Sequence, residues 1–99
     1  MLNTYAFSAH IAEISAQRFT PAGIPAIDLI LSHESTQIEA GQSRKVNLSM
    51  KAVALGTTAE TLAKLNIGQI AKFKGFLCAT KNGKGSVLHI TDIELTSNT

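Results

Sequence analysis

The sequence contains few of the residues that mark disulfide-linked, metal-binding or membrane-spanning proteins. Its 99 residues include one cysteine, two prolines and no tryptophan. A single cysteine excludes an intrachain disulfide framework and a cysteine-based zinc cluster. The longest uninterrupted apolar run, 52–55, is far shorter than the ~18 residues needed to cross a bilayer, and the first residues lack the basic flank and apolar core of a secretory signal. We therefore expect a cytoplasmic protein with no membrane segment, no metal and no other cofactor.

Length and composition are typical of one folded domain. The chain falls in the size range of a single hydrophobic core, and its 44% hydrophobic and 16% charged residues exclude intrinsic disorder. No internal repeat, low-complexity tract or linker divides it, so we expect one domain over residues 1–99. Because so small a domain buries a modest core, a partner subunit would add to its stability.

Positive charge is concentrated in the middle of the chain, although the formal net charge is only +2. Residues 41–85 contain one arginine and seven lysines against a single carboxylate, Glu60. A basic segment of this kind can form a surface that binds a polyanion such as a nucleic acid. The same lysines are also typical of an ordinary solvated surface, so charge alone leaves both interpretations open.

Alternation of apolar and polar residues predicts a mostly β protein. The predicted strands span residues 5–14, 27–33, 45–52, 69–78 and 86–95. Residues 41–43 are expected to form a loop, and a short helix capped by Thr57 or Thr58 is expected before residue 66. Asn82-Gly83 predicts a type I′ hairpin turn between the last two strands. This order matches an all-β protein with the five-stranded Greek-key barrel of the OB-fold and a short helix between strands 3 and 4, although other small barrels share the order.

Three segments resemble one known family. The first begins with TPAGIP at residues 20–25 and continues to EAG at residues 39–41. The second consists of KNG at residues 81–83 followed by VLH at residues 87–89, and the third is IEL at residues 93–95. They are similar to the second-strand signature and the final hairpin of primosomal replication protein N, the PriB family, and the similarity covers nearly the whole chain. The motif P-x-G-I-P also occurs, in looser form, in bacterial single-stranded DNA-binding proteins.

The resemblance implies a homodimer that binds single-stranded DNA during replication restart. It also implies that the protein recruits or stabilises the primosomal helicase on repaired forks, with single-stranded DNA-binding protein as a further partner. A general single-stranded DNA-binding protein is an alternative. The sequence ends without the acidic tail that such proteins usually carry, which favours the primosomal branch.

The candidate binding residues are mostly cations. Positions that match basic positions of the family are held by Arg18, Arg44, Lys81 and Lys84. Lys45 is adjacent to Arg44, and Lys51 shares a strand face with Lys45 by the two-residue period. Asn47 stands where many family members carry an aromatic residue. We therefore expect single-stranded DNA to contact Arg18, Arg44, Lys45, Asn47, Lys51, Lys81 and Lys84.

Aromatic residues are scarce, and this scarcity limits the expected affinity. Most of the four phenylalanines and the single tyrosine lie where strand periodicity predicts core packing. Since each base stacked on an aromatic side chain contributes roughly 1–3 kcal/mol, we expect weak binding dominated by phosphates. Neutralising ~3–5 phosphates predicts a log–log salt slope of about −2 to −3.5.

The sequence gives no indication of an enzyme. The three histidines fall in three different predicted strands, without metal-ligand spacing or a partner triad. Cys78, near a strand end, is expected to be a small buried hydrophobe. The alternative function is a protein–protein adapter of the primosome with weak residual DNA binding, in which basic loops or a face formed by Lys72 and Lys74 hold an acidic partner.

Overall fold

A computed structural model describes residues 1–95 of the chain. The elements in chain order are β1 (Tyr5–Ile14), β2 (Arg18–Phe19), β3 (Pro25–Glu39), β4 (Gln42–Leu55), α1 (Thr57–Leu62), β5 (Ile70–Ala79) and β6 (Ser86–Leu95). The five long strands form a sheet in the order β1-β5-β6-β4-β3, which closes because β1 also pairs with β3. The two-residue β2 extends the sheet beyond β3. The predicted five-stranded OB-fold barrel with one short helix is confirmed.

The barrel interior is filled by apolar side chains that alternate along the strands with outward-facing residues. Phe73, Ile11, Leu31 and Leu88 are completely buried. α1 packs against β3, β4 and β6 and adds the buried Leu62 to the same core. Burying each side chain of this size contributes roughly 1.5–3 kcal/mol. The core therefore fixes which face of every strand points outward, and this decides where the charged residues lie.

β3 and β4 form a hairpin about twice as long as the sequence predicted. The two strands pair continuously from Ala26 opposite Leu55 to Glu39 opposite Gln42. The turn between them consists of Ala40 and Gly41, whose φ angles of 52° and 76° are both positive, as a type I′ turn requires. The predicted loop over residues 41–43 is wrong, because β4 already begins at Gln42. The outer part of this hairpin extends beyond the core and is exposed on both faces.

The hairpin of β5 and β6 closes through a different loop from the predicted two-residue turn at Asn82-Gly83. Residues 80–85 separate the two strands, and Asn82 does not have positive φ, so the predicted type I′ turn is wrong. The backbone N–H of Gly83 donates to the carbonyl of Thr80 at 2.9 Å. The side-chain oxygen of Asn82 accepts from the hydroxyl of Thr80 and from the N–H of Lys84. Asn82 therefore orders this loop through its side chain.

The helix is shorter than expected and has no side-chain cap. α1 follows Gly56, which has a φ of 69°, and neither Thr57 nor Thr58 caps its N-terminus. Within residues 1–95, this helix is far too short and polar to cross a membrane. Nor do three histidine, cysteine or carboxylate side chains of this part of the chain come together as a metal site would require.

Candidate nucleic-acid interface

An open groove of about 570 Å³ lies on the outer face of β3 and β4, beside the loop of the β5–β6 hairpin. Three cationic side chains line it: Arg18 on β2, Lys51 on β4 and Lys81 in the loop after β5. Lys51 is exposed because its neighbours on β4, Met50 and Ala52, occupy the inner face. The fold thus brings three of the seven candidate residues, from three separate segments, into one groove.

Arg18 is held within this groove by Asp28, which also lines it. Its Nε donates to Oδ2 of Asp28 at 2.9 Å, and its Nη2 donates to Oδ1 at 3.1 Å. These hydrogen bonds and the negative charge of Asp28 raise the pKa of Arg18 above its usual value. Both side chains are 51% exposed, so the pair adds little to stability and is accessible to a ligand.

The other candidate residues lie outside the groove. Lys45 and Asn47 share the outer face of β4 with Lys51 but are farther along the exposed hairpin, and six residues of strand place Lys45 about 20 Å from Lys51. Arg44 is on the opposite face of β4 and forms an ion pair with Glu39. Lys84 is exposed in the loop over residues 80–85 and does not line the groove.

The structure adds an aromatic pair that the sequence reasoning did not assign to the site. Phe76 on β5 and His89 on β6 stack with ring centroids 5.0 Å apart and an interplanar angle of 10°. Strand pairing puts them in one row across the outer face, in the order Asp28, Val53, His89, Phe76. Phe76 is 39% exposed, so part of its side chain is accessible to a ligand. Phe76 follows Lys72 and Lys74 at the two-residue period of β5 and alternates with core residues. This pattern could have identified Phe76 as an outward-facing residue.

Phe7 and Phe73 pack together, with centroids 6.5 Å apart, as strand periodicity predicts for most of the aromatic residues. Phe19, which falls outside the predicted strands, is 65% exposed on β2. Cys78 is exposed rather than buried, because it follows Phe76 by two residues and therefore shares its outward direction. The outer face of β5 is thus less polar than its lysines suggested.

The face formed by Lys72 and Lys74 is not a basic patch. Each lysine lies directly opposite a carboxylate on β6, Lys72 opposite Glu94 and Lys74 opposite Asp92. Cross-strand pairs of opposite charge attract each other and cancel the local field. An acidic partner would gain little from this face, which weakens that version of the adapter interpretation.

Comparison with known proteins agrees with the fold. A family described as "Another single-strand binding protein family" matches residues 3–92. Replication restart protein PriB of Bordetella pertussis is 43% identical over 90 residues, which cover 90% of this chain and 84% of that protein. PriB of Nitrosomonas europaea is 34% identical over 95 residues, covering 94% and 87%. The solved structure of PriB from Ralstonia solanacearum superposes with a TM-score of 0.88 at 30% identity, covering 98% of this chain and 100% of that one.

The matches extend over the whole barrel and over both hairpins, including the segments that carry Arg18, Lys51 and Lys81. They confirm the resemblance to primosomal replication protein N. The chain therefore belongs to the PriB family of OB-fold proteins, within the single-strand binding proteins.

Proposed function

We propose that this protein is a non-catalytic single-stranded DNA-binding protein of replication restart, acting in the bacterial cytoplasm. The observation that carries the proposal is the convergence of Arg18, Lys51 and Lys81 in one open groove next to the exposed Phe76–His89 stack. Binding of single strands without sequence preference requires cations along the phosphates and flat rings for the bases. This face supplies both, and the relatives named above are replication restart proteins.

The geometry suggests how a strand would lie. The groove shares Val53, Leu55 and His89 with a second depression that reaches Phe76. A strand whose phosphates contact Lys51 and Lys81 would therefore have bases within reach of the Phe76 ring. A longer strand would continue along the outer face of β4 towards Lys45.

The test is a titration of fluorescent oligothymidine at several salt concentrations. Three phosphate contacts predict a log–log slope of about −2, and five contacts, with Lys45 and Lys84 also engaged, predict about −3.5. A slope of about −2 would indicate that phosphates contact only the cations of the groove. Binding that does not depend on salt, or no binding at low salt, would contradict the proposal.

Phe76→Leu separates base stacking from phosphate contact in the same assay. Leucine keeps an apolar side chain on the outer face but has no ring on which a base can stack. Loss of one stacked base should weaken binding by about tenfold, at ~1–3 kcal/mol per base. The slope should not change, because stacking releases no counterions from phosphates. Unchanged affinity would remove Phe76 from the interface.

We further propose that the protein is a homodimer joined through β1. The first half of β1 has a paired strand on one edge only. That strand is β5, because the pairing of β1 with β3 begins at His10. On the other edge, Nδ1 of His33 hydrogen-bonds to the carbonyl of Ser8. An edge without a paired strand favours association with a second chain. Sedimentation equilibrium at micromolar concentration should give about 21 kDa, twice the chain mass, whereas the mass of one chain would contradict the dimer.

Assistance to the primosomal helicase, and an interaction with single-stranded DNA-binding protein, complete the proposal. Both are supported by membership of the PriB family and by the replication restart function named for its relatives. If DNA is held in the groove, stimulation of the helicase should depend on the groove lysines. An adapter that contacts the helicase elsewhere would keep its stimulation when those lysines are replaced.

A further inference from the structure

Both arginines of the chain are paired with carboxylates. Arg18 pairs with Asp28 and Arg44 pairs with Glu39, whereas Lys51 and Lys81 form no ion pair within residues 1–95. Only the Arg18–Asp28 pair lies in the groove. The residue best suited to grip a phosphate with two hydrogen bonds is therefore already bound by a carboxylate of the same chain.

We propose that Asp28 competes with the DNA phosphate for Arg18 and so limits the affinity of the groove; this inference rests on the proposed DNA-binding function. A carboxylate and a phosphate offer a guanidinium the same pair of acceptor oxygens. Asp28 occupies Nε and Nη2 of Arg18, the side-on pair of donors with which a guanidinium binds a phosphate, and its negative charge repels a phosphate from the remaining N–H groups. A bound strand must displace Asp28 from Arg18 or forgo that contact.

The backbone holds the competing carboxylate in place. The N–H of Asp28 donates to the hydroxyl of Ser15 at 3.0 Å, and the N–H of Ser15 donates to the carbonyl of Asp28 at 2.9 Å. Asp28 also lies within β3, opposite Val53 of β4. Since its main chain is fixed on both sides and its side chain is short, Asp28 cannot easily move away when DNA arrives.

Asp28 also lowers the charge of the groove. Of the side chains that line it, three are cationic and Asp28 is the one carboxylate. Asp28 stands in the same cross-sheet row as His89 and Phe76, so a strand stacked on Phe76 passes close to it. The result is a groove that holds a single strand by its lysines and releases it readily, which suits a protein that must hand DNA to a partner.

Asp28→Asn tests the inference in the oligothymidine assay. Asparagine keeps the size of the side chain and removes its charge, which frees Arg18 for phosphate. Removing the carboxylate that competes for Arg18 should tighten binding by about tenfold at low salt. Glu60→Gln, which removes the same charge from an exposed position of α1, should change affinity much less. Thermal unfolding should be nearly unchanged by either substitution, because both side chains are exposed.

A double-mutant cycle with Arg18→Gln shows whether Asp28 acts through Arg18. If it does, Asp28→Asn should tighten binding in the wild-type background and have little effect in a protein that already carries Arg18→Gln. An equal gain in both backgrounds, or no gain in either, would overturn the inference while DNA binding by the wild-type protein still stands. If none of these proteins binds oligothymidine, the proposed function fails as well.

Discussion

Gly75→Ala should destabilise the barrel by at least about 3 kcal/mol, at the upper end of the cost of overpacking. A Cβ at this position would lie 1.8 Å from the carbonyl oxygen of His89, 2.8 Å from its carbonyl carbon and 3.2 Å from Cα of Ile90. All three are backbone atoms, so no change of side-chain rotamer can relieve the clash. The strands come this close at an irregularity of the β5–β6 ladder, where Lys74 pairs with Asp92 but Gly75 pairs with Ile90.

The measurement is urea unfolding followed by circular dichroism, with Gly83→Ala as the matched control. Gly83 has a φ of 73°, and no atom outside residues 82–84 lies within 4 Å of the place that an added methyl group would occupy. Alanine there meets only the strain of a left-handed backbone, roughly 1–2 kcal/mol. A domain of ordinary stability has about 5–15 kcal/mol in total, so Gly75→Ala removes a large part of it. If Gly75→Ala costs no more than Gly83→Ala, β5 and β6 do not approach as closely as described.

The same glycine also positions the proposed binding face. Relief of the clash would require β6 to move at His89 and Ile90, and this would shift the ring that stacks on Phe76 and a buried core residue together. We therefore expect any folded fraction of Gly75→Ala to bind DNA more weakly than Gly83→Ala. The stability of the barrel and the geometry of its outer face are coupled at this point.

The sequence predicted the barrel well because its core strands alternate cleanly. In β6 the prediction matches the observed strand, and in β4 Lys51 is exposed while its neighbour Ala52 is buried, as a two-residue period requires. The sequence underestimated the length of the β3–β4 hairpin. The outer part of this hairpin carries polar residues, such as Thr36 and Ser43, on both faces of its strands and therefore shows no apolar–polar alternation. Their pairing is fixed by the turn at Ala40–Gly41 and by the backbone register, neither of which a hydrophobic pattern reports.

The candidate site was harder to predict, since it depends on which segments meet. Period-two spacing grouped Lys45 with Lys51, but distance along the strand separates them. Sequence could not show that Arg18 and Lys81, which are distant in the chain, both line the same groove as Lys51. Nor could it show that Asp28 would meet Arg18, because this contact depends on the pairing of β2 with β3. Contacts between strands, rather than residue types, decide the site.

The double variant Lys51→Gln/Lys81→Gln should weaken binding of oligothymidine by about a hundredfold at low salt, roughly tenfold for each charged phosphate contact that is lost. These are the two groove cations without an ion pair in the described part of the chain. Arg18, already engaged by Asp28, cannot fully replace them. The salt slope should become shallower by about 1.4, because two fewer phosphates are neutralised.

The control is Lys64→Gln/Lys72→Gln, which removes the same charge from lysines that do not line the groove. Lys64 follows α1, and Lys72 lies opposite Glu94. This control should keep nearly the full affinity, since exposed charges about a Debye length or more from the DNA are screened. Equal losses in both double variants would mean that the overall positive charge, and not the groove, attracts DNA.

Stimulation of the primosomal helicase on a forked substrate decides between the DNA-binding and adapter functions. Because a groove that holds the strand for the helicase acts through DNA, the Lys51/Lys81 variant should lose stimulation in proportion to its lost affinity, and higher protein concentration should restore part of it. An adapter acts through protein contact, so stimulation would remain when DNA binding is lost. A variant that binds oligothymidine normally but no longer stimulates the helicase would likewise favour the adapter, and would locate its protein contact at the groove lysines.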